Sequence, residues 1–205
     1  MNKLLKSFNK DDFYKNINLH IHSKLSDGDA EVKDIVKYFK NYKYFSITDH
    51  NCVEAYKLTE IQNCKNILTG VEFDCWYRGV LIHILGYGMD IENEQFKKLL
   101  GKNHKECSDT ILRLLQARNA KKTIQTIKAA GGTVILAHPA CYWCINLDNF
   151  IKSLIPFGLD GIETYYPYNR FRGVVKFHFA KTVEHIADKY NLIKTGGTDE
   201  HSNLK

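Results

Sequence analysis

The chain has 205 residues, a length that fits a single domain with one buried core. Its longest apolar runs, such as residues 80–85, are far too short to cross a bilayer, and the N-terminus lacks the apolar segment of a signal peptide. We therefore expect a cytoplasmic protein without membrane contacts. The net charge of +6 is a mild excess spread over lysines, which is compatible with an anionic substrate and gives no indication of nucleic-acid binding.

Strand-like and helix-like segments alternate along the chain. Residues 1–16 are polar and lysine-rich, and we interpret them as an N-terminal lead-in to a domain that spans residues 17–205. Strands are predicted at residues 17–21, 44–47, 66–73, 80–86, 133–137, 159–164 and 192–196. Helical patterns lie at residues 29–39, 53–62, 90–130, 147–155 and 174–190. Because parallel strands need crossover helices, the alternation predicts an α/β fold of the TIM-barrel-like (β/α)7 type.

The cysteines do not indicate a disulfide framework. Six of them are scattered through predicted helices and strands, a distribution that favours reduced thiols. Cys141 and Cys144 have the spacing of a redox or half-zinc motif, but the sequence contains no second pair of this kind. We therefore interpret that spacing as a coincidence.

Two histidines follow the first predicted strand. His20 and His22 are separated by one residue, so in an extended chain their side chains point to the same side and both imidazoles can bind one metal ion. The turn Ser26-Asp27-Gly28 brings an acidic side chain back toward the end of this strand, within reach of a second ion. Alone, a His-x-His pair is weak evidence, because two histidines on a half-buried strand explain it equally well.

Later segments of the chain also carry histidine, aspartate or glutamate residues at the ends of predicted strands. Candidate metal ligands lie at or near the C-terminal ends of predicted strands, where the loops of an α/β barrel converge: His20, His22, Asp27, His50, Glu72, His138, Asp199 and His201. His83 is the exception, because it lies within its strand. Recurrence at successive strand ends predicts a metal site at the mouth of the barrel.

On these motifs, the chain resembles the polymerase and histidinol phosphatase family, known as PHP, from Asn18 to His201. The resemblance implies that residues 17–205 form a PHP domain, a distorted seven-stranded barrel with two or three divalent metal ions. It also implies that each ion has its own ligand set, with Glu72 shared between the first two: His20, His22, Glu72 and Asp199; then Glu72, His83 and His138; then Asp27, His50 and His201. Glu72, Asp199 and His201 are the predicted catalytic residues.

Imidazole and carboxylate ligands favour zinc, manganese or iron over soft metals. Ions of this kind lower the pKa of bound water, so we expect hydrolysis of a phosphoester by a metal-bound hydroxide. The expected partner is a small phosphomonoester or a nucleotide phosphate, with nucleic acid only as a short oligonucleotide. Histidinol-phosphate phosphatase is an alternative. A non-catalytic metal-binding PHP module associated with a DNA polymerase is an alternative of another class.

A different metallohydrolase, the amidohydrolase barrel, also begins with a His-x-His motif. It is disfavoured because its metal-bridging lysine would stand where this chain has Glu72 and His83. Substrate contacts are less well defined, and we predict that four basic residues bind phosphate: Lys24, Arg118, Arg170 and Arg172. Glu163 is expected behind the ligands, and the aromatic residues after it are candidates for stacking on a base.

Overall fold

The computed structural model describes residues 1–169 and 178–202 and has a mixed α/β fold. Within these ranges the strands are β1 (Ile17–Asn18), β2 (Tyr44–Phe45), β3 (Gly70–Tyr77), β4 (Val80–Tyr87), β5 (Arg118–Asn119), β6 (Thr133–Leu136), β7 (Gly161–Tyr165) and β8 (Ile193–Gly196). β1 and β2 form a parallel pair, and the remaining described strands form a sheet in the order β5-β3-β4-β6-β7-β8.

Isolated bridges connect the small sheet to the large one. Phe45 pairs with Ile67, just before β3, and Ile21 pairs with Glu200, just after β8. The Leu19 amide also donates to the Gly196 carbonyl oxygen at 3.2 Å. β1 and β2 therefore lie between β3 and β8. This arrangement brings the segment after β1 next to the segment after β8.

The predicted α/β class is confirmed, but the strands do not all run in parallel. β4 is antiparallel to both β3 and β6, whereas β6, β7 and β8 are parallel. β3 and β4 form a hairpin through Arg78 and Gly79, whose φ angles of 50° and 75° suit a two-residue turn. No helix separates these strands, so the expected regular alternation of strand and helix fails here.

Short helices replace the longer ones that the hydrophobic pattern predicts. In the described residues the α-helices are α1 (Asn2–Lys6), α2 (Lys10–Lys15), α3 (Val32–Phe39), α4 (Thr59–Gln62), α5 (Glu94–Lys97), α6 (His104–Ser108), α7 (Thr110–Leu115), α8 (Ala120–Ala129), α9 (Leu147–Leu154) and α10 (Ala180–Lys189). Turns of 3₁₀ helix lie at Glu54–Lys57, Pro139–Cys141 and Ile155–Phe157. Residues 174–177 of one predicted helix lie outside the described residues.

The predicted helical region 90–130 is divided because each new segment has its own N-cap. Asn93, Asn103, Asp109 and Asn119 accept hydrogen bonds from the first amides of α5, α6, α7 and α8, respectively. Such side chains favour the start of a helix over its interior. They end one helix and begin the next, although the apolar pattern runs through them.

The first sixteen residues form part of the packed structure. Leu5, Phe8 and Phe13 of this segment are buried in one hydrophobic cluster with Leu85 and Tyr87 of β4. Side chains at alternate positions of a strand share one face, so Leu85 and Tyr87 lie on the same face as His83. The N-terminal helices therefore pack against the apolar continuation of the face that carries His83. Tyr14, by contrast, is exposed.

The structure also bears on the state of the cysteines and on membrane-spanning helices. All six cysteines are free thiols, as the sequence predicts. Of the helices described, none combines the length and apolar character needed to span a membrane.

Candidate metal centre

The candidate ligands predicted from the sequence converge at one place. They come from the segments after β1, β2, β6 and β8 and from within β3 and β4. In the part of the chain that the structure describes, their donor atoms form three groups in which all members lie within 4.8 Å of one another: His20, His22, Glu72 and Asp199; Glu72, His83 and His138; and His22, Asp27, His50 and His201.

The first group surrounds two carboxylate oxygens. Glu72 Oε2 lies 3.2 Å from Nε2 of His20 and 3.2 Å from Nε2 of His22. Asp199 Oδ1 lies 3.3 Å and 3.2 Å from the same two nitrogens. Two imidazoles and two carboxylates thus point at a common centre, a donor set suited to a divalent cation.

The other oxygen of Glu72 belongs to the second group. Glu72 Oε1 lies 3.1 Å from Nδ1 of His83 and 3.2 Å from Nε2 of His138. The two oxygens of one buried carboxylate therefore face different histidines on different strands. This geometry suits a carboxylate that bridges two adjacent ions.

The third group is more open to solvent than the first two. Asp27 Oδ1 lies 3.6 Å from Nδ1 of His22 and 3.4 Å from Nε2 of His201. His50 approaches from the other side, with Nε2 at 3.8 Å from Asp27 Oδ2. The exposed fraction of the His201 side chain is 35%, whereas the His22 side chain is fully buried.

Several buried donor atoms at the centre have no hydrogen-bond partner among the described residues, which is a direct test of whether the site fits a cation. They are Nε2 of His20, both ring nitrogens of His22, Oδ1 of Asp27, Oε2 of Glu72, and the Nδ1 atoms of His50 and His138. Leaving buried polar atoms unpaired is costly, and native proteins rarely do so. The arrangement of nitrogen and oxygen donors is that of a metal-binding site, and the residues present therefore fit divalent ions.

Asp49 holds the turn that carries Asp27. Its carboxylate accepts hydrogen bonds from the amide and the hydroxyl group of Ser23 and from the hydroxyl group of Ser26, each at 2.7 Å. Gly28 ends this turn close to the backbone of His22. A Cβ atom at residue 28 would lie 2.5 Å from the His22 carbonyl oxygen, so only glycine fits there. The turn that carries Asp27 is therefore fixed against the segment after β2.

Glu163 lies behind the first group, as the sequence suggests. Its Oε1 lies 3.0 Å from Nδ1 of His20, and its Oε2 accepts a hydrogen bond from the His138 amide at 2.9 Å. Tyr166, three residues later in the chain, donates its hydroxyl to Asp199 Oδ2 at 2.8 Å. One glutamate and one tyrosine of the β7 segment thus support ligands from three other segments.

Two buried charged residues at the centre were not identified from the sequence. Asp74 lies 3.4 Å from His50 Nδ1 and 3.3 Å from His83 Nε2. Arg113 of α7 contacts Asp27 and lies 3.5 Å from Asp74. Alternation along β3 could have indicated Asp74, because it shares a face with Glu72. Arg113 had no such signal, because it lies in the region predicted as one long helix.

The pKa values of the centre reflect strong mutual attraction. Burial lowers the pKa of His22, but hydrogen bonding to Asp199 and Glu72 raises it to about 9. Burial also lowers the pKa of His83, and Glu72 and Asp74 raise it to about 9. Burial raises the pKa of Glu72, but the surrounding histidines hold it well below its ordinary value. Without metal, His22 and His83 therefore hold protons at neutral pH that a metal ion has to displace.

Two candidate ligands have unusual backbone conformations. His138 has φ 26° and Asp199 has φ 49°, in the region that favours glycine. Strained backbone of this kind persists only where surrounding contacts fix it, and it clusters at functional sites. The contacts of His138 and Asp199 with Glu163 and Tyr166 provide such support.

Of the four predicted phosphate-binding residues, the structure describes Lys24 and Arg118. Lys24 makes an exposed ion pair with Glu31 at 2.9 Å. Arg118 donates from Nε to the Leu99 carbonyl oxygen at 2.8 Å, and its guanidinium lies over the Phe73 ring. Arg170 and Arg172 lie outside the described residues. Phosphate binding by these four side chains remains a prediction.

Comparison with known proteins gives matches at the level of structure alone, since no protein-family model and no curated protein matches the sequence. A protein from Bifidobacterium adolescentis, assigned as a metal-dependent phosphoesterase, has a TM-score of 0.74 and 17% sequence identity, over 93% of this chain and 89% of that one. An amidohydrolase from Chromobacterium violaceum, with bound sulfate and no metal, has a TM-score of 0.73 and 20% identity, over 92% and 88% of the two chains.

A two-domain protein from Bacteroides vulgatus, described as containing a predicted PHP-like metal-dependent phosphoesterase, gives a TM-score of 0.56 and 16% identity. This match covers 91% of the present chain but 52% of that protein. The chain shares the fold of these proteins. The resemblance to the PHP family that the motifs indicate is thereby confirmed at the level of the fold.

Proposed function

We propose that the chain is a metal-dependent phosphoesterase of the PHP type that hydrolyses a small phosphomonoester or a nucleotide phosphate. The observation that carries the proposal is the position of Glu72, whose two oxygens face separate histidine groups in a buried site. Adjacent divalent ions joined by a carboxylate suit phosphoryl transfer, because they stabilise the attacking and the leaving oxygen together. The fold shared with two proteins described as phosphoesterases supports the same function.

The side chains of this centre would hold zinc, manganese or iron. Bound divalent ions supply Lewis acidity toward phosphoryl oxygens and make water acidic enough to act near neutral pH. His20 and His22 present their Nε2 atoms toward the centre, and Glu163 fixes His20 from the opposite side of the ring. Tyr166 fixes Asp199 in the same way. These contacts pre-organise the ligands so that substrate binding does not require them to move.

An amidohydrolase is the second candidate, because one structure with the same fold is described as such. In this chain Glu72 faces histidines of two ligand groups through its two oxygens, at the place where the amidohydrolase barrel would carry its bridging lysine. A carboxylate at this position favours the phosphoesterase. The proposal also covers a narrower version, histidinol-phosphate hydrolysis, and competes with a non-catalytic metal-binding module.

A substrate panel with defined metals tests the proposal. The metal-depleted protein is reconstituted separately with Mn²⁺, Zn²⁺ and Fe²⁺, and phosphate release is measured from nucleotides, bisphosphonucleotides, short oligonucleotides and histidinol phosphate. Amide and ester substrates are assayed in parallel. We expect metal-dependent phosphate release that Glu72→Gln abolishes and that Glu92→Gln, a change in an exposed ion pair, retains.

Each alternative has its own result in this experiment. Hydrolysis of amides without phosphate release would show that the chain is an amidohydrolase and not a phosphoesterase. Metal binding without turnover of any substrate would indicate the non-catalytic module. Phosphate release that persists in Glu72→Gln would contradict the proposed centre.

A further inference from the structure

Asp74 lies behind two of the candidate metal ligands. Its Oδ1 atom is 3.4 Å from Nδ1 of His50 and 3.3 Å from Nε2 of His83. The opposite nitrogens of these rings, Nε2 of His50 and Nδ1 of His83, face Glu72 at 3.3 Å and 3.1 Å. One carboxylate oxygen therefore faces the outer nitrogens of two imidazoles whose inner nitrogens face the centre.

The second oxygen of Asp74 is held from the other side. Asp74 Oδ2 accepts a hydrogen bond from Nδ2 of Asn51 at 2.6 Å and lies 3.5 Å from Nε of Arg113. Arg113 in turn bonds Asp27 through Nη1. Because Asp74 is buried, with Oδ2 hydrogen-bonded to Asn51 and Oδ1 facing the two imidazoles, its carboxylate has a fixed orientation. The same guanidinium connects it to Asp27, a member of the third ligand group.

A separate cation between His50, Asp74 and His83 is the competing interpretation, since their donor atoms are close enough together to hold one. The guanidinium of Arg113 stands beside the Asp74 carboxylate and already places a positive charge there. A further cation there would be repelled by Arg113. It would also require the two imidazoles to share their outer nitrogens with it. The geometry therefore favours an orienting role for Asp74 over a metal site of its own.

We propose that Asp74, held by Arg113, is a positioning residue that sets the tautomers of His50 and His83 for metal binding. A neutral imidazole carries one N–H group and one lone pair. A carboxylate beside the outer nitrogen holds the proton there and leaves the lone pair on the inner nitrogen. His50 would thus carry its proton on Nδ1 and His83 on Nε2. The inference rests on the proposed metal centre and assigns a role to residues that the ligand groups alone leave unexplained.

Glu163 provides an internal comparison. It lies 3.0 Å from Nδ1 of His20, a member of the first ligand group. Glu163 thus faces a ring of the first group and the His138 amide of the second, whereas Asp74 faces rings of the second and third groups. Loss of Glu163 should weaken metal binding at the first group and not at the third, and loss of Asp74 at the third and not at the first. A general loss of stability would not produce these different patterns.

The experiment measures metal occupancy position by position in Asp74→Asn and Glu163→Gln. Crystals of the full chain are equilibrated with graded Mn²⁺, and anomalous scattering gives the occupancy at each ligand group. We expect Asp74→Asn to raise the Mn²⁺ concentration needed at the positions of His50 and His83 by about 10–100-fold while the first group is unchanged. Glu163→Gln should raise it at the first group and leave the third group unchanged. Asp160→Asn, which removes a carboxylate bound to Lys128 and the Val134 amide, should change neither.

Arg113→Met and Arg113→Lys extend the test to the residue that holds Asp74. Thermal unfolding of the metal-free protein shows whether Asp74→Asn folds. If it does not fold, the two Arg113 variants take its place. The Met variant should lose affinity at the same positions as Asp74→Asn. The Lys variant should recover part of it, because lysine keeps the charge but cannot contact both carboxylates with a planar fork.

Unchanged occupancy, or equal loss at all positions, in the variants that fold would overturn the inference. Wild-type protein that binds Mn²⁺ only at the first group would also overturn it. Wild-type protein that binds no ion at all would instead reject the proposed function.

Discussion

Gly197 lies directly against His20. A Cβ atom at Gly197 would stand 2.5 Å from the backbone nitrogen of His20 and 2.9 Å from its Cα. Such distances are not tolerated between these atoms, so the segment after β8 can approach the segment after β1 only because residue 197 has no side chain. This approach places Asp199 beside the His20 ring.

Gly197→Ala should therefore damage the first ligand group. The added methyl group has to push the two segments apart, with an expected loss of about 1–3 kcal/mol in the free energy of unfolding and a loss of metal at the His20 position. Urea unfolding and metal analysis measure both effects. Gly131→Ala is the matched control, because its φ of 78° costs stability while nothing lies within 4 Å of the new Cβ. Equal metal content in the two variants would contradict the role of Gly197.

Glu72→Gln should be more harmful than removal of an outer ligand. Glu72 belongs to two ligand groups and His201 to one, so Glu72→Gln weakens two metal positions and His201→Ala weakens one. We expect a decrease in kcat/KM of about a hundredfold or more for Glu72→Gln, and a smaller decrease for His201→Ala. Elemental analysis should give fewer ions per chain for the Gln variant. Near-normal activity of Glu72→Gln, together with an inactive His20→Ala, would mean that another residue bridges the ions.

Metal binding should release protons and strengthen with rising pH. The pKa values of His22 and His83 are raised to about 9, so both rings are protonated at neutral pH in the metal-free protein. A metal ion binds only the neutral ring, and its apparent affinity should increase as the pH approaches about 9. Calorimetry in buffers of different ionisation enthalpy counts the released protons. Proton-independent binding between neutral and alkaline pH would contradict the expected charge state.

Broad substrate use is expected, because the third ligand group is accessible to solvent. The Asp27 and His201 side chains keep exposed fractions of 21% and 35%. A site with few enclosing contacts discriminates weakly, and we expect the best and second-best phosphomonoesters to differ in kcat/KM by less than about a hundredfold. A much stronger preference for one nucleotide or for histidinol phosphate would indicate a closed pocket around the leaving group.

The convergence of the candidate ligands could be predicted from the sequence because strand geometry is regular. His20 and His22 follow the period of an extended chain, and strand ends converge at one edge of a sheet. The same rule applied once more along β3 would have placed Asp74 beside Glu72. Local rules were therefore sufficient for most residues that face the centre.

Contacts between distant segments could not be predicted in this way. Arg113 reaches Asp27 only because Asp109 caps a new helix and redirects the chain, whereas apolar periodicity indicated one continuous helix. The hairpin at Arg78 and Gly79 was missed because Arg-Gly is not among the sequences that most strongly indicate a two-residue turn. The burial of Leu5 against Tyr87 depends on tertiary packing, on which local composition carries no information.

The closure between the first and last strands also determines when the centre can form during synthesis. The Asn18 side chain donates to the Thr198 hydroxyl at 2.7 Å, a contact across 180 positions of sequence. Contacts of this range form late, because a long loop has to close before they stabilise the chain. A nascent chain that has not reached Asp199 presents His20 and His22 without their second carboxylate. The complete donor set arises only after Asp199 has been synthesised, so metal loading of the first group follows the pairing of the segments after β1 and β8.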